Sequence, residues 1–201
     1  MQTIDNKLRS RIYGSGRGSV FTPNAFLDIG GRDAVDKALS RLATQGTIRR
    51  LARGLYDYPR EHSELGRLSP DIQQIAKALA GKDRLRLQPA GAYATNLLGL
   101  SEQVPAKVIF LTDGPSRTVK IGKQEIQLRR TTPRNMAAAG RLSGLVMQAF
   151  RHLGKEHITP KRMAQLKRTL PVNERQQLLK DLPLAPTWMH SLFRELAESE
   201  T

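Results

Sequence analysis

Three arginines in a short segment offer the clearest chemistry in this sequence. Residues 47–58 read TIRRLARGLYDY, two short apolar runs on either side of an Arg-Gly pair. The pattern predicts two strands joined by a basic turn, in which Gly54 is free to take a positive φ. Guanidinium groups bind phosphate oxygens through paired, charge-assisted hydrogen bonds. Arg49, Arg50 and Arg53 are therefore candidate phosphate ligands.

The residues before this ribbon predict an amphipathic helix that ends at Gly46. Its apolar stripe has helical spacing and consists of Ala34, Val35, Ala38, Leu39 and Leu42. The opposite side carries Asp33, Asp36, Lys37, Ser40 and Thr44, with Arg32 and Arg41 on the flanks. A polar-faced helix followed at once by a basic ribbon is typical of a winged helix-turn-helix, whose helix fits a DNA major groove. The same order also occurs in small domains whose basic residues are merely solvated.

The upstream segment favours the winged helix-turn-helix. The spacing of Ile4, Leu8 and Ile12 predicts a first helix over residues 3–13, followed by a glycine-rich loop. Thr22-Pro23 starts a short second helix with Phe26, Leu27 and Ile29 facing inward, and Gly30-Gly31 closes it. The order of helix, extended segment, helix, turn, helix and ribbon predicts a winged helix-turn-helix domain at residues 1–60.

The glycine-rich loop at residues 14–18 does not have the context of a nucleotide-binding loop. It follows a helix rather than a strand, and it lacks the Lys-Ser/Thr pair of that motif. We interpret it as a flexible linker that places Arg17 near a phosphate.

Charge and composition favour a polyanionic partner but do not select a surface. The net charge is +15 and the sequence pI is about 10.8. Residues 1–60 carry 11 basic and 5 acidic side chains, and the later thirds have similar excesses, so an acidic protein is an alternative partner. The chain has no cysteine and no apolar run of membrane-spanning length, and from its first residues we expect no signal peptide. We expect a cytoplasmic protein that does not enter a membrane.

The patterns in residues 61–201 predict a second domain. Together with the first domain they predict an α+β fold class for the whole chain. After a linker at 59–66 and a helix opened by Ser69-Pro70-Asp71, alternation at 84–88 predicts a strand and 89–98 a helix. Residues 107–111 predict a strand, and 118–121 with 125–129 a hairpin, giving a mixed α/β region over 66–131. Helical periodicity then continues over 135–199.

The combination of segments resembles a known family. The segments RIYGSGRGSVFTPNAFLDIG, AVDKALSRL, GTIRRLARGLYDYP, VIFLTDGPSRTVKIG and RRTTP look like those of AbiEi-type antitoxins, and more narrowly the DUF6088 group. The resemblance implies a type IV toxin–antitoxin system, in which the winged-helix domain represses its own promoter. It also implies that the C-terminal domain counteracts a nucleotidyltransferase-like toxin. Antitoxin action through direct toxin binding, with DNA binding secondary, is the alternative.

Catalytic chemistry is not indicated. His62, His152, His157 and His190 are scattered, so we expect no metal site, and nothing predicts a cofactor. Asp113 and Glu125 could form a nuclease-like carboxylate pair with Lys120 or Lys123, but ordinary surface charges on a hairpin explain the same residues. The basic cluster at 129–134 fits phosphate, an acidic toxin surface or a solvated strand end.

The predicted interface is therefore with double-stranded DNA. Lys37, Ser40 and Thr44 lie nearest the bases, and the arginines hold phosphates, although a wing arginine reaches the minor groove in some winged proteins. Asp33 and Asp36 fit poorly beside phosphates, and they cap the helix, accept from cytosine or indicate a tilted docking. The predicted DNA-binding set is Arg17, Arg32, Lys37, Ser40, Arg41, Thr44, Arg49, Arg50 and Arg53.

Overall fold

The computed structural model describes residues 3–81 and 85–198, which form two compact units of mixed α and β structure. The first unit runs to Leu85 and also takes in Val119–Ile121, whereas the second contains Arg86–Thr118 and the residues from Gly122 onward. The first unit extends past the predicted boundary at residue 60 because a later helix packs on its sheet. The α+β class predicted from the sequence is confirmed at this level.

In its described residues, the first unit contains three α-helices and one 3-10 turn, together with a three-stranded and a two-stranded antiparallel sheet. Its elements are α1 (Ile4–Gly14), β1 (Val20–Phe21), a 3-10 turn (Pro23–Phe26), α2 (Arg32–Thr44), β2 (Arg49–Ala52), β3 (Leu55–Asp57), β4 (Glu61–His62), β5 (Gly66–Arg67) and α3 (Ile72–Ala80). The order β1-β3-β2 puts the strand between the first two helical segments beside the second strand of the hairpin. The hairpin and both long helices thus occur where the sequence predicts them.

The apolar stripe of α2 builds the core of this unit. Val35, Leu39 and Leu42 are inaccessible to solvent and pack against Leu8 and Ile12 of α1. The helix ends where expected, because Gly46 takes a φ of +73° that other residues rarely adopt. This burial directs the opposite side of α2 to the surface.

Two predictions for this unit need correction. The second helix is only one 3-10 turn, and Leu27 is 46% exposed rather than inward-facing, whereas Phe26 is buried in the core and Ile29 packs against it as predicted. Its ring contacts that of Phe21 edge-on, with centroids 5.3 Å apart. The predicted linker at 59–66 contains β4, which pairs with β5 in a short two-stranded ladder.

The second unit is built on a four-stranded sheet with helices, although residues Val119–Ile121 of the edge strand β8 belong to the first unit. Its elements are β6 (Leu87–Ala90), α4 (Gly91–Leu97), β7 (Lys107–Thr112), β8 (Arg117–Ile121), β9 (Gln124–Arg130), α5 (Leu142–Leu153), α6 (Pro160–Thr169), α7 (Val172–Lys180) and α8 (His190–Ala197), with 3-10 turns at Lys155–His157, Leu182–Leu184 and Thr187–Met189. The strand order is β6-β7-β9-β8, and β7 and β9 are parallel. The helices share a core that includes Phe150 and Phe193.

The strand predicted at 84–88 is misplaced. It begins at Leu87 and continues through Pro89 to Ala90, so the helix predicted from Pro89 starts at Gly91 instead. Arg84 lies outside the described residues. Proline is tolerated here because β6 is an edge strand, in which a missing N–H donor removes no ladder bond on its open side.

Helix α5 packs unusually closely on the chain before it, because one of its residues is glycine. A Cβ added to Gly144 would overlap the carbonyl oxygen of Ala138 and lie 2.6 Å from Oε1 of Gln88. A backbone carbonyl cannot rotate away as a flexible side chain can, so this contact requires glycine.

We expect Gly144→Ala to destabilise the protein by about 1–3 kcal/mol, the usual cost of overpacking. Gly14→Ala is the matched control, because this helical glycine has open space around the Cβ position. There the usual helix preference for alanine should make the change neutral or stabilising by up to about 1 kcal/mol. Urea denaturation followed by circular dichroism measures both, and equal stabilities for the two variants would contradict the close packing.

Candidate nucleic-acid interface

The polar face of α2 is exposed and carries no large apolar side chain. Lys37, Ser40, Arg41 and Thr44 all lie at the surface, and with Gln45 they line an open depression of about 360 Å³. Hydroxyl, ammonium and amide groups at this spacing can donate to or accept from the base edges of a major groove. We refer to Lys37, Ser40, Arg41 and Thr44 as the polar face.

The tip of the hairpin presents two exposed arginines. Arg50 pairs with Tyr56 across the ladder, and the register shifts between Arg50 and Ala52. Arg53 precedes Gly54, which takes a φ of +69° and lets the chain reverse. Within the described ranges, neither Arg50 nor Arg53 has a carboxylate partner. Their guanidinium groups therefore remain available to an anion.

Arg49, also predicted to hold phosphate, is used inside the protein. Its Nη2 donates to Oδ2 of Asp57 at 2.6 Å, and its Nε donates to Oδ1 at 3.1 Å. The same Nη2 donates to the carbonyl oxygen of Leu68 at 2.8 Å. The Asp57 side chain is only 1% exposed, so its charge needs this partner.

The two arginines that flank α2 are also paired, but at the surface. Arg32 donates through Nε to Asp36 at 2.8 Å and through Nη1 to Asn24 at 2.7 Å. Arg41 binds Asp5 through Nε and Nη2, at 2.9 and 2.5 Å. From the sequence, the negative charge of Asp36 is difficult to reconcile with phosphate binding nearby. In the structure this charge is paired with Arg32 on the same helix.

The pair of Asp5 and Arg41 persists at physiological pH. The hydrogen bond from Arg41 holds the pKa of the Asp5 carboxyl below its usual value, and the same bond raises the pKa of Arg41. A lowered carboxyl pKa means that the pair is intact above about pH 4 and is lost only as the pH falls through that lowered value. Asp5 is therefore ionised at neutral pH, and its two hydrogen bonds orient Arg41.

Arg17, predicted to lie near a phosphate on a flexible linker, instead contacts the residues that follow β3. Its Nη1 donates to the carbonyl oxygen of Pro59 at 3.0 Å, and its guanidinium lies 4.8 Å from the ring centre of Tyr58. Glu61 approaches the same group at 3.5 Å. The glycine-rich loop is thereby tied to the end of the hairpin rather than free.

The structure thus divides the predicted set. Lys37, Ser40, Arg41 and Thr44 share one exposed face, and Arg50 and Arg53 share one hairpin, whereas Arg17 and Arg49 are occupied by internal contacts. Sequence reasoning missed Gln45, although its spacing from Arg41 places it on the same face. It also missed Asp5 and Asp57 as arginine partners.

The carboxylates considered for catalysis also have cationic partners. Asp113 accepts from Nε of Arg86 at 2.9 Å and from the backbone N–H of Arg86 at 3.0 Å, and these bonds hold its pKa below the usual value. Glu125 lies 3.5 Å from Nζ of Lys107. In the part of the chain that the structure describes, no group of three acidic, histidine or cysteine side chains could hold a metal ion. None of the helices in that part is long and apolar enough to cross a membrane.

Comparison with known proteins assigns the chain to a family. The family model of DUF6088, described as a family of unknown function, matches residues 4–178, and the chain belongs to this family. The matched region covers most of both units. A search of curated proteins returned no match.

We expect Arg49→Ala to destabilise the protein by about 3 kcal/mol or more, because it leaves the Asp57 charge buried without a partner. Arg50→Ala, one residue away and exposed, is the matched control, with an expected change within about 0.5 kcal/mol. Urea denaturation followed by circular dichroism gives both values. If the two variants prove equally stable, the buried pair does not hold the hairpin.

Proposed function

We propose that the first unit is a winged helix-turn-helix that binds double-stranded DNA, and that this cytoplasmic protein represses its own promoter. One observation carries the proposal. The exposed polar face of α2 is followed directly by a hairpin whose two exposed arginines have no carboxylate partner among the described residues. A helix of this kind fits the major groove, and a basic ribbon beside it reaches the flanking backbone.

The strand arrangement supports the same proposal. In the first unit β1 lies between the first two helical segments in sequence and pairs with β3, so one strand of the hairpin is anchored on its other side by β1. Val20 faces Asp57 in this ladder, and Arg49 faces Asp57 from the other side. The hairpin is thereby fixed relative to the strand that precedes α2.

The proposed roles follow from which side chains are available. Lys37, Ser40 and Thr44 would contact base edges, whereas Arg50 and Arg53 would bind phosphates. Arg41 uses Nε and Nη2 for Asp5, which leaves Nη1 for a phosphate, and Arg32 has a similar secondary role on the other flank. We assign Arg17 and Arg49 to positioning the hairpin instead, because their internal partners occupy them.

We expect Arg50→Ala and Arg53→Ala each to weaken binding to all duplexes and to lower the slope of log K against log salt by about one. The measurement is electrophoretic mobility shift at several salt concentrations, with the DNA upstream of the protein's own gene and a scrambled duplex. Arg168→Ala, an exposed arginine on α6 of the second unit, is the control for net charge. An equal loss in the control, or no loss in the hairpin variants, would contradict this interface.

A second proposed function is antitoxin action on a nucleotidyltransferase-like toxin, which the resemblance to AbiEi-type antitoxins implies. The family model matches most of the second unit as well as the first, so members of the family share both units. Its excess of basic side chains suits an acidic surface on a protein partner. The alternative to repression as the main function is an antitoxin that acts by binding the toxin directly. DNA binding is then secondary.

We expect the two functions to separate in the double variant Arg50→Ala/Arg53→Ala. It should lose promoter binding yet still prevent the growth arrest caused by a nucleotidyltransferase-like product of the adjacent gene. Co-purification of the two proteins then tests whether protection needs direct contact. A folded double variant that fails to protect would mean that the toxin contacts the same arginines, and the separation would be rejected.

A further inference from the structure

The second unit contains a basic cleft that DNA binding by the first unit does not use. Its floor is one face of the sheet, where Leu111 of β7 lies beside both Gln88 of β6 and Arg129 of β9. Paired residues on neighbouring strands lie on the same face, and successive residues alternate. Arg129 therefore faces the cleft, and Arg130 lies on the opposite face of the sheet.

Helix α5 and the segment after β9 form the walls. Gln148, Arg151 and His152 are three and four residues apart and share one side of the helix. Thr131 and Asn135 contribute polar groups from the segment that follows β9. With Arg129 these side chains line an open cleft of about 480 Å³.

The lining of the cleft is cationic. Arg129 and Arg151 are both present, and no aspartate or glutamate is among the lining residues. An adjoining hollow shares Asn135, Gln148 and Arg151 with the cleft and adds Arg134. In contrast to Arg32, Arg41, Arg49 and Arg86, these arginines have no carboxylate partner among the described residues. The concentration of positive charge in a concave site favours an anionic ligand.

Gln148 adds an uncharged hydrogen-bonding group to the cleft. Only 8% of this residue is exposed, and it lines both the cleft and the adjoining hollow. Its amide is not among the buried polar atoms that lack a hydrogen-bond partner, so the amide reaches the surface of the cleft. There it can donate a hydrogen bond to an anionic ligand.

The arginine on α5 is already held in place. Its Nη1 donates to Oδ1 of Asn135 at 3.3 Å, and Nδ2 of Asn135 donates to Oγ1 of Thr131 at 2.9 Å. This chain of hydrogen bonds restrains the Arg151 guanidinium while leaving its other N–H groups for a ligand. A restrained cation loses less conformational entropy when it binds an anion.

We propose that this cleft binds the phosphate group of a nucleotide-sized ligand. A phosphate has several acceptor oxygens, which two guanidinium groups and an amide can approach from different sides. The volume lies in the range of small-molecule sites, and a phosphate entering the recess would reach the buried Gln148. No phenylalanine, tyrosine or tryptophan lines the cleft, so the phosphate, rather than a base stacked on such a ring, would be recognised.

Isothermal titration calorimetry on the full chain tests this proposal with inorganic phosphate, a nucleoside monophosphate and the corresponding nucleoside. We expect both phosphate compounds to bind and the nucleoside not to bind. Arg129→Ala and Arg151→Ala should each weaken binding about tenfold or more, because each removes charge-assisted hydrogen bonds. Arg130→Ala is the matched control: the same charge is lost from the adjacent residue on the other face of the sheet, and affinity should stay within about twofold.

Other outcomes would overturn the proposal. These are equal binding of nucleoside and nucleotide, an equal loss in Arg130→Ala, and the absence of phosphate binding at millimolar concentration. If Arg151→Ala does not fold because it loses Asn135, Arg129→Ala and the nearly isosteric Gln148→Met decide the question. Both should bind phosphate more weakly while retaining promoter binding, which distinguishes this cleft from the interface of the first unit.

Discussion

The buried ion pair of Arg49 and Asp57 fixes the geometry on which the first unit depends. An isolated carboxylate in the interior would cost several kcal/mol, of order 5 after relaxation, and a guanidinium offsets this only with good geometry and further hydrogen bonds. Both conditions are met, because the contact is two-pronged and Arg49 also donates to the carbonyl of Leu68. The buried ion pair therefore favours the observed register of β2 on β3. Strand β1 is aligned with the same residue, because Val20 pairs with Asp57.

The same rule sorts the arginines of the first unit by their neighbours. An arginine that meets a carboxylate or a carbonyl becomes part of the scaffold, as Arg17 and Arg49 do. At the surface, Arg41 keeps a fixed direction through Asp5 without losing all of its donors. Arg50 and Arg53 stand on a hairpin whose one buried acid, Asp57, is already occupied. In the first unit, Arg50 and Arg53 thus remain available to a polyanion and lie on the same hairpin.

Local patterns predict the elements of this protein better than they predict its contacts. The stripe of α2 and the positive φ of Gly46 and Gly54 follow from residues within one turn, and both are found. The pairing of Arg41 with Asp5 joins residues 36 positions apart, and no spacing rule reveals it. The prediction of β6 is wrong for a related reason. Local rules end a strand before Pro89, but an edge strand tolerates proline, and the edge position of β6 is a property of the whole sheet.

The basic cluster after β9 shows the same limit at a candidate site. The hairpin of β8 and β9 is predictable from alternation and the turn at Gly122, but the insertion of β9 between β8 and β7 is not. That insertion aligns Arg129 with Leu111 and Gln88, so one arginine joins the cleft under α5 while Arg130 lies on the opposite face. Two residues that form a single basic cluster in the sequence therefore have different surroundings. The difference follows from the two-residue period of a strand, which separates adjacent charges and brings together residues from three strands and a helix.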